Sequence, residues 1–451
     1  GTVVAEVLPR STGRPSALRP PSPTVVDPLT GIAAYVVEAE MDRGDPAVFI
    51  VVARTADIRA YGFPQGVAGE GSGAGLTYAQ AYGAAVGECV ERYAFSVVHP
   101  EDLVFGSWRA LAAAGLNPIP PSHWALFDSS QQAGLPFAPF DEDTPLGWVE
   151  ADSLSRRQPC RVPACLVYMP YTLPFADRGE VTIAPAVSTG GACARSRAEA
   201  LLKGLCELVE RDAFMIVWRN RLPCPRVRID ADSPLHDLFM RVFVRPGLEY
   251  ALFHTTLDLG IPSFLGVLID RREGPPTVIV GGAAHPDPAQ AVLKTLVETV
   301  QGLKWKDTQR GATYPIEPGY RNVRSFDDRM KLYALNSAML RAFDFLFHAE
   351  SEVPLSRLPS LDTGDVRRNL QACVQRLTAH GLEVLAVDIT PVDVAACGYH
   401  VVKVLVPELE TMEGDHLLPF LGGRRWREVP QRLFGLTPTL ADINPDPHPY
   451  P

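Results

Sequence analysis

Residues 200–214 read ALLKGLCELVERDAF, and this stretch determines what the rest of the chain must build. Its pattern is an Ala, a Glu seven positions later, then any residue, Val, and Glu or Gln. The same pattern occurs at residues 81–91 and 291–301. Residues three apart lie on one face of a helix, so each copy places two oxygen-bearing side chains side by side, next to an apolar stripe. The sequence therefore predicts three buried helices that each present a polar pair.

Taken alone, each pair has a simpler interpretation, because a Glu-x-x-Glu on a helix usually lies on a solvated face. Two observations favour a shared site instead. The residues flanking each first glutamate are strongly apolar, and an unpaired carboxylate is costly among core residues. The pattern also recurs three times. Five carboxylates and one amide gathered in one place require a cation, and Mg²⁺ with a polyphosphate is the expected one, because Mg²⁺ takes carboxylate and phosphate oxygens together.

Composition limits the alternatives. The chain has 451 residues, of which 46% are apolar, enough for a large core and about two or three domains. A net charge of −10 argues against a nucleic-acid partner, and no run approaches the roughly 18 apolar residues of a membrane span. The eight cysteines are scattered without a Cys-x-x-Cys pair. This pattern favours reduced thiols in a cytoplasmic protein rather than a zinc site.

The hydrophobic patterns alternate between two periods. Apolar β-branched runs predict strands at 33–38, 48–53, 161–168, 250–254, 264–269, 277–280, 384–388 and 400–406. Helical periodicity predicts helices at 78–97, 196–218, 288–305, 326–347 and 366–380. No Gly-x-Gly-x-x-Gly turn follows a predicted strand. The mixture favours an α+β fold of layered mixed or antiparallel sheets with packed helices over a doubly wound dinucleotide-binding domain.

We expect an N-terminal arm over residues 1–30, a catalytic domain over 31–430 with several subdomains, and a proline-rich tail over 431–451. Proline alternates with other residues at 445–451, which predicts an extended, polyproline-like segment. Composition alone favours a disordered terminus there. The glycine-rich stretch 69–75 leads into the first helix, where its amides could meet a phosphate. A flexible loop is an equally good interpretation.

The chain resembles the YcaO family, ATP-dependent enzymes that activate backbone amides of ribosomal peptides. The resemblance is carried by Glu-x-x-Glu-Arg at 88–92, Glu-x-x-Glu-Arg-Asp-Ala at 207–213 and Glu-x-x-Gln at 298–301. It continues through 148–150, 162–164, 388–390 and 401–407, and covers nearly everything after residue 31. Together these motifs imply a YcaO-like fold that binds ATP and Mg²⁺.

The resemblance also assigns roles to individual residues. It implies that Mg²⁺ is held by Glu88, Glu91, Glu207, Glu210 and Glu298. It implies that the nucleotide is contacted by the same glutamates and by Arg92, Arg211, Lys294 and Gln301. Arg92 and Arg211 are the candidates for catalytic contact with the phosphates. Pro451, through a terminal carboxylate, is the candidate for the proton transfers of ring closure.

The proline-alternating end resembles the tail of azoline-forming family members, called cyclodehydratases, in which it reaches toward the active site. The implied reaction begins when a Cys, Ser or Thr side chain of a precursor peptide attacks the preceding amide carbon. ATP phosphorylates the amide oxygen, and loss of phosphate leaves a thiazoline or oxazoline. The implied partners are the precursor peptide, a separate ubiquitin-activating-enzyme-like protein that binds its leader, and a dehydrogenase that could oxidise the product. A homodimer is also expected.

Two alternatives remain open. Backbone thioamidation or amidine formation uses the same ATP chemistry with a different nucleophile, although the proline tail argues against it. A catalytically silent scaffold subunit is the other. It is supported by Ala74 and Ala84, which stand where the family often carries Lys and Ser. All five acidic positions are intact, which favours an active enzyme.

Overall fold

Three antiparallel or mixed sheets form the framework of the computed structural model, which describes residues 24–57 and 69–450. The first sheet is antiparallel, in the order β1-β2-β3. Its strands are β1 (Ala33–Glu38), β2 (Phe49–Thr55) and β3 (Glu70–Gly75). The stretch 69–75 is thus largely a strand and not a flexible loop.

The second sheet is antiparallel throughout, in the order β4-β5-β13-β14-β7, with β6 paired to β5. Its strands are β4 (Val104–Gly106), β5 (Leu146–Ser153), β6 (Gln158–Pro163), β7 (Gly191–Ala194), β13 (Leu385–Asp388) and β14 (His400–Leu405). The third sheet runs β11-β10-β9-β8-β12, and only its β8–β12 pair is parallel. Its strands are β8 (Arg226–Arg228), β9 (Leu248–His254), β10 (Ser263–Asp270), β11 (Thr277–Ala284) and β12 (Glu352–Pro354).

Three long helices carry the repeated acidic pattern: α1 (Tyr78–Ser96), α3 (Arg197–Asn220) and α5 (Pro288–Thr308). Each begins at a residue whose side-chain oxygen accepts a backbone N–H of the first turn. These N-cap residues are Thr77, Ser196 and Asp287. The shorter helices are α2 (Trp108–Ala113), α4 (His236–Val242), α6 (Phe326–Ala334), α7 (Asp344–Phe347), α8 (Val366–Ala379), α9 (Val392–Ala396) and α10 (Arg425–Phe434).

The three long helices connect the three sheets in a closed cycle. Helix α1 packs on β2 and β3 of the first sheet and on β7 of the second. Helix α3 packs on β7 and β14 of the second sheet and on β10 and β11 of the third. Helix α5 packs on β10 and β11 of the third sheet and returns to β3 of the first. Each of the three helices therefore lies against two of the three sheets.

The predicted α+β class with layered sheets and packed helices is confirmed, and two predicted elements are wrong in part. The strand expected at 161–168 ends at Pro163 and continues as a 3-10 turn, Ala164–Leu166. The helix expected at 326–347 breaks after Ala334. There the Asn336 side chain donates to the Leu332 and Tyr314 carbonyls, so it competes with the helical backbone bonds.

The proline-rich end is ordered up to Tyr450, and residues 447–450 are buried. The composition-based expectation of a disordered terminus is therefore wrong for this segment. Pro451 and most of the arm expected at 1–30 lie outside the described residues, and the proposed division into three segments stays a prediction.

No helix within residues 24–57 and 69–450 combines the length and apolarity needed to cross a membrane.

Candidate active site

A single serine joins the first and third acidic helices. The backbone N–H of Ser72, in β3, donates to Glu88 Oε2 of α1 at 2.7 Å. The Ser72 hydroxyl accepts from Gln301 Nε2 of α5 at 2.8 Å. Strand β3 can lie this close to α1 because Gly71 and Gly73 have no side chain. A Cβ at either position would stand within 2.3 Å of a helix carbonyl oxygen.

Electrostatic coupling connects α1 to α3. Burial, together with the negative charges of Glu207 and Glu88, raises the pKa of Glu91 to about 8. Arg92 donates from Nε to Glu88 Oε1 at 3.2 Å, so it balances one of these charges but leaves Glu91 without an ion pair within 4.0 Å among the described residues. Glu91 and Glu207 therefore lie close enough to repel across the interface between their helices.

The coupling between α3 and α5 completes the cycle. Burial, together with the charges of Glu298 and Glu207, raises the pKa of Glu210 to about 8 against the opposing charge of Arg211. Burial likewise raises the pKa of Glu298, whose Oε2 accepts from the Gly282 N–H at 3.2 Å. Lys294 lowers the pKa of both glutamates from an exposed position on α5. All nine predicted site residues in the described part of the chain are thus brought to one region.

The glutamates of the site differ in how far their side chains are exposed to solvent. Side chains of Glu88 and Glu207 are about one-third exposed, at 32% and 31%, whereas that of Glu210 is 7% exposed. Arg211 lies between Glu207 at 3.9 Å and Glu210 at 3.4 Å. Neither contact has the geometry of a hydrogen bond, and Glu210 Oε1 and Arg211 Nε are buried without a hydrogen-bond partner among the described residues.

These observations fit a bound cation and polyphosphate. Repelling carboxylates with raised pKa values and a buried, unpartnered Glu210 oxygen form a set that a divalent cation would satisfy. The glutamates do not form a ready-made cage, however. Among the described residues, the only three acidic or ligating side chains whose oxygens cluster within 4.8 Å are Asp42, Asp45 and Asp307. Lys304 lies within 4.0 Å of all three, so that group is an ion-pair network.

Hence each Mg²⁺ would be bound by only one or two of the glutamates. Its other coordination positions would be left for phosphate oxygens. Mg²⁺ usually binds phosphate substrates in this way, through one or two carboxylates. Asp212, although it is part of the same motif as Arg211, does not belong to the site. It accepts from Arg425 Nη2 at 2.7 Å and from the Glu410 N–H at 2.9 Å, which secures α3 to α10 and the segment before it.

Sequence reasoning missed three contributors to the site: Ser72, Lys403 and Tyr450. Lys403, in β14, is 1% exposed and donates to the Thr189 carbonyl at 2.8 Å. Burial lowers its pKa to about 8, and the nearby Glu207 and Glu91 oppose that shift. A lysine inside the run His400–Leu405 was the available signal, because an isolated charge in a buried strand needs partners. Ser72 and Tyr450 carried no comparable signal.

Residues 72–410 match the family model described as YcaO cyclodehydratase, ATP- and Mg²⁺-binding. The match spans most of the chain, and the protein belongs to the YcaO family. The predicted cofactors, ATP and Mg²⁺, are confirmed at the level of the family, as is its ATP-dependent enzyme type.

An uncharacterized protein of Methanothermobacter thermautotrophicus is 29% identical over 410 residues, which cover 88% of this chain and 94% of the relative. A heterocyclase solved in complex with substrate and cofactor aligns at a TM-score of 0.75 and 26% identity, over 94% of this chain. The chain spans only 56% of that heterocyclase's length. YcaO from Methanopyrus kandleri, bound with AMPPCP and Mg²⁺, shares the fold at a TM-score of 0.59 and 24% identity, over 84% of this chain and 86% of its own.

Proposed function

We propose that the protein is the ATP-dependent component of a peptide cyclodehydratase, which converts Cys, Ser or Thr of a ribosomal precursor to thiazoline or oxazoline. The observation that supports this most is the convergence of three acidic helices on one partly open site. The family match and the likeness to a heterocyclase bound to substrate support the reaction class. The docked proline-rich tail favours azoline formation over thioamidation.

The residues of the site have separate roles in the proposed reaction. Glu88, Glu207 and the glutamates behind them bind the metal and fix its position relative to β3 and β11. Arg211, with N–H groups not used by hydrogen-bonded carboxylates, contacts phosphate oxygens and neutralises charge during transfer. Magnesium-bound ATP supplies an electrophilic phosphorus that turns the amide oxygen into a good leaving group. Arg92 orients Glu88 through the hydrogen bond that it donates to Glu88 Oε1.

In the proposed reaction the substrate's thiol or hydroxyl loses its proton, and its sulfur or oxygen bonds to the preceding carbonyl carbon. The carbonyl oxygen takes the terminal phosphoryl group of ATP, which releases ADP, and then leaves as phosphate, while the amide nitrogen loses its proton and forms the ring C=N bond. Each ring removes one water in net terms. The residue expected to assist this proton transfer, Pro451, lies outside the described residues, and its role stays a prediction.

We further propose that a separate protein captures the precursor's leader. The heterocyclase that aligns over 94% of this chain is longer, and 44% of its length lies beyond the match. The oxidising dehydrogenase and the homodimer stay predictions.

Reconstitution tests the proposal. The protein, its partner, the precursor peptide and MgATP are expected to yield a product that is lighter by one water per ring, as measured by mass spectrometry. Glu88→Gln and Glu207→Gln should lower the rate about 100-fold, because each removes a metal-binding charge. Glu199→Gln is the matched control, since Glu199 lies on α3 but pairs with Lys203 at 2.9 Å on the surface.

Other outcomes would contradict the proposal. Replacement of oxygen by sulfur raises the product mass and would assign thioamidation instead. Failure of the wild-type protein to bind MgATP would assign the scaffold role that Ala74 and Ala84 suggested.

A further inference from the structure

The tail is held by hydrogen bonds to three separate parts of the chain. Trp218 Nε1 of α3 donates to the Asp446 carbonyl at 3.0 Å, and the Tyr333 hydroxyl of α6 donates to the Pro447 carbonyl at 2.5 Å. His448 Nε2 bonds the Glu413 carbonyl at 2.9 Å. Since proline cannot donate a backbone hydrogen bond, these contacts through carbonyls and side chains fix the tail's path.

The path delivers Tyr450 into the site. Tyr450 is 1% exposed and its ring centroid lies 4.2 Å from that of Phe214. The Arg211 guanidinium carbon lies 4.5 Å from the Tyr450 ring centroid. The hydroxyl rests against Gly282, where an added Cβ would stand 1.7 Å from Tyr450 Oη. Gly282 is the residue whose N–H binds Glu298.

We propose that Tyr450 is a positioning residue that holds Arg211 by stacking, in a seat formed by Phe214 and Gly282. Stacking is distinctive because it orients a planar guanidinium without using its N–H donors. The other neighbours of Arg211 use few of them: Glu207 and Glu210 make no hydrogen bond to it, and Met412 Sδ accepts at 3.3 Å. The inference rests on the proposed function, in which those donors bind phosphate.

Binding of AMPPCP with Mg²⁺, measured by calorimetry on the full chain, tests this role. Tyr450→Leu keeps an apolar side chain but removes the ring, and should weaken binding about 10-fold. Tyr450→Phe keeps the ring and should lose no more than about threefold, because the hydroxyl lies beside Glu210 but makes no well-formed hydrogen bond to a described residue. Adenosine, which has no phosphates, should bind both variants as it binds the wild type.

The seat is tested by a double-mutant cycle. Gly282→Ala should expel the Tyr450 ring and weaken AMPPCP binding as Tyr450→Leu does, whereas adding Gly282→Ala to Tyr450→Leu should cost nothing more. Tyr450→Leu should likewise add nothing to Arg211→Ala. Tyr35→Leu, on the exposed side of β1, is the control and should bind normally.

Three results would overturn the inference while leaving the proposed function intact. They are AMPPCP affinity unchanged in Tyr450→Leu, an equal loss for adenosine, and a loss in Tyr450→Leu that persists in the Arg211→Ala background. If Tyr450 had a purely structural role, the second and third of these results would be observed. A wild-type protein that bound no AMPPCP with Mg²⁺ would overturn the proposed function as well.

Discussion

Glu91 and Glu210 hold protons more tightly in the folded protein than an exposed glutamate does. Burial is the main cause, and neighbouring glutamates add to it, so that each pKa is about 8. The spacing of the motifs predicted which glutamates would meet, because three-residue spacing survives in any helix. It could not predict Lys403 or Tyr450, whose roles depend on a strand and a tail brought in from distant sequence.

These pKa values predict how stability depends on pH without nucleotide. A folded pKa raised from 4.5 to about 8 contributes stability below pH 4.5 that is lost as pH rises toward 8. The free energy of unfolding should therefore fall by at least about 1 kcal/mol between about pH 5 and about pH 8. Glu91→Gln should reduce this slope and stabilise the protein at the higher pH, as measured by urea unfolding.

Glu199→Gln provides the comparison, because this surface glutamate is not part of the acidic cluster and should keep the wild-type slope. Parallel pH profiles for Glu91→Gln and the wild type would contradict the electrostatic account. Lys403, with a folded pKa of about 8 and an ordinary value of 10.5, changes the slope only above this range.

At the scale of elements, strand β3 shows where sequence patterns fail. Its residues, Glu70–Gly75, alternate glycine with other small residues, so neither hydrophobic period is visible. Glycine is needed at these positions because β3 lies close against α1. This is a tertiary contact, which the local sequence pattern does not show. The break after Ala334 has the same origin, since Asn336 reaches Tyr314 in another segment.

Replacing one of these glycines should disturb both the fold and the site. Gly73→Ala places a Cβ 2.2 Å from the Ala81 carbonyl oxygen, so strand and helix must separate. We expect a loss of about 2–3 kcal/mol in unfolding free energy and weaker nucleotide binding, because Ser72 moves away from Glu88.

Gly83→Ala is the matched control on α1. Nothing lies within 4 Å of a Cβ at that position, so the change should stabilise the helix by up to about 1 kcal/mol. Denaturant unfolding and calorimetry measure both variants, and equal stability for the two would contradict the close-packing argument.

At the scale of the whole molecule, the sequence predicted the class of fold but not its closed cycle of three sheets and three helices. The order of strands in each sheet depends on which faces remain to be covered once the helices dock. The tail is another long-range feature. Its alternating prolines predicted an extended segment, but nothing local indicated that Phe214, Trp218 and Tyr333 would bury it.

Tyr333→Phe should loosen the tail, because it leaves the buried Pro447 carbonyl without its donor at a cost of about 1–3 kcal/mol. Hydrogen–deuterium exchange followed by mass spectrometry should show faster exchange in the peptide that contains residues 444–450. Tyr314→Phe removes a similar bond, to the Asn322 carbonyl at 2.8 Å, and should leave that peptide protected. Unchanged exchange in both variants would contradict the anchoring role.

Ser72, which touches both Glu88 and Gln301, joins positions more than two hundred residues apart. We expect contacts between residues so distant in sequence to form late in folding, because the entropy cost of closing the long intervening loop precedes the free energy that the contacts contribute. We therefore expect the repelling glutamates to meet only when most of the hydrophobic collapse is complete. Recovery of ligand affinity during refolding should consequently lag behind recovery of secondary structure, which makes nucleotide capture a reporter of the final assembly step.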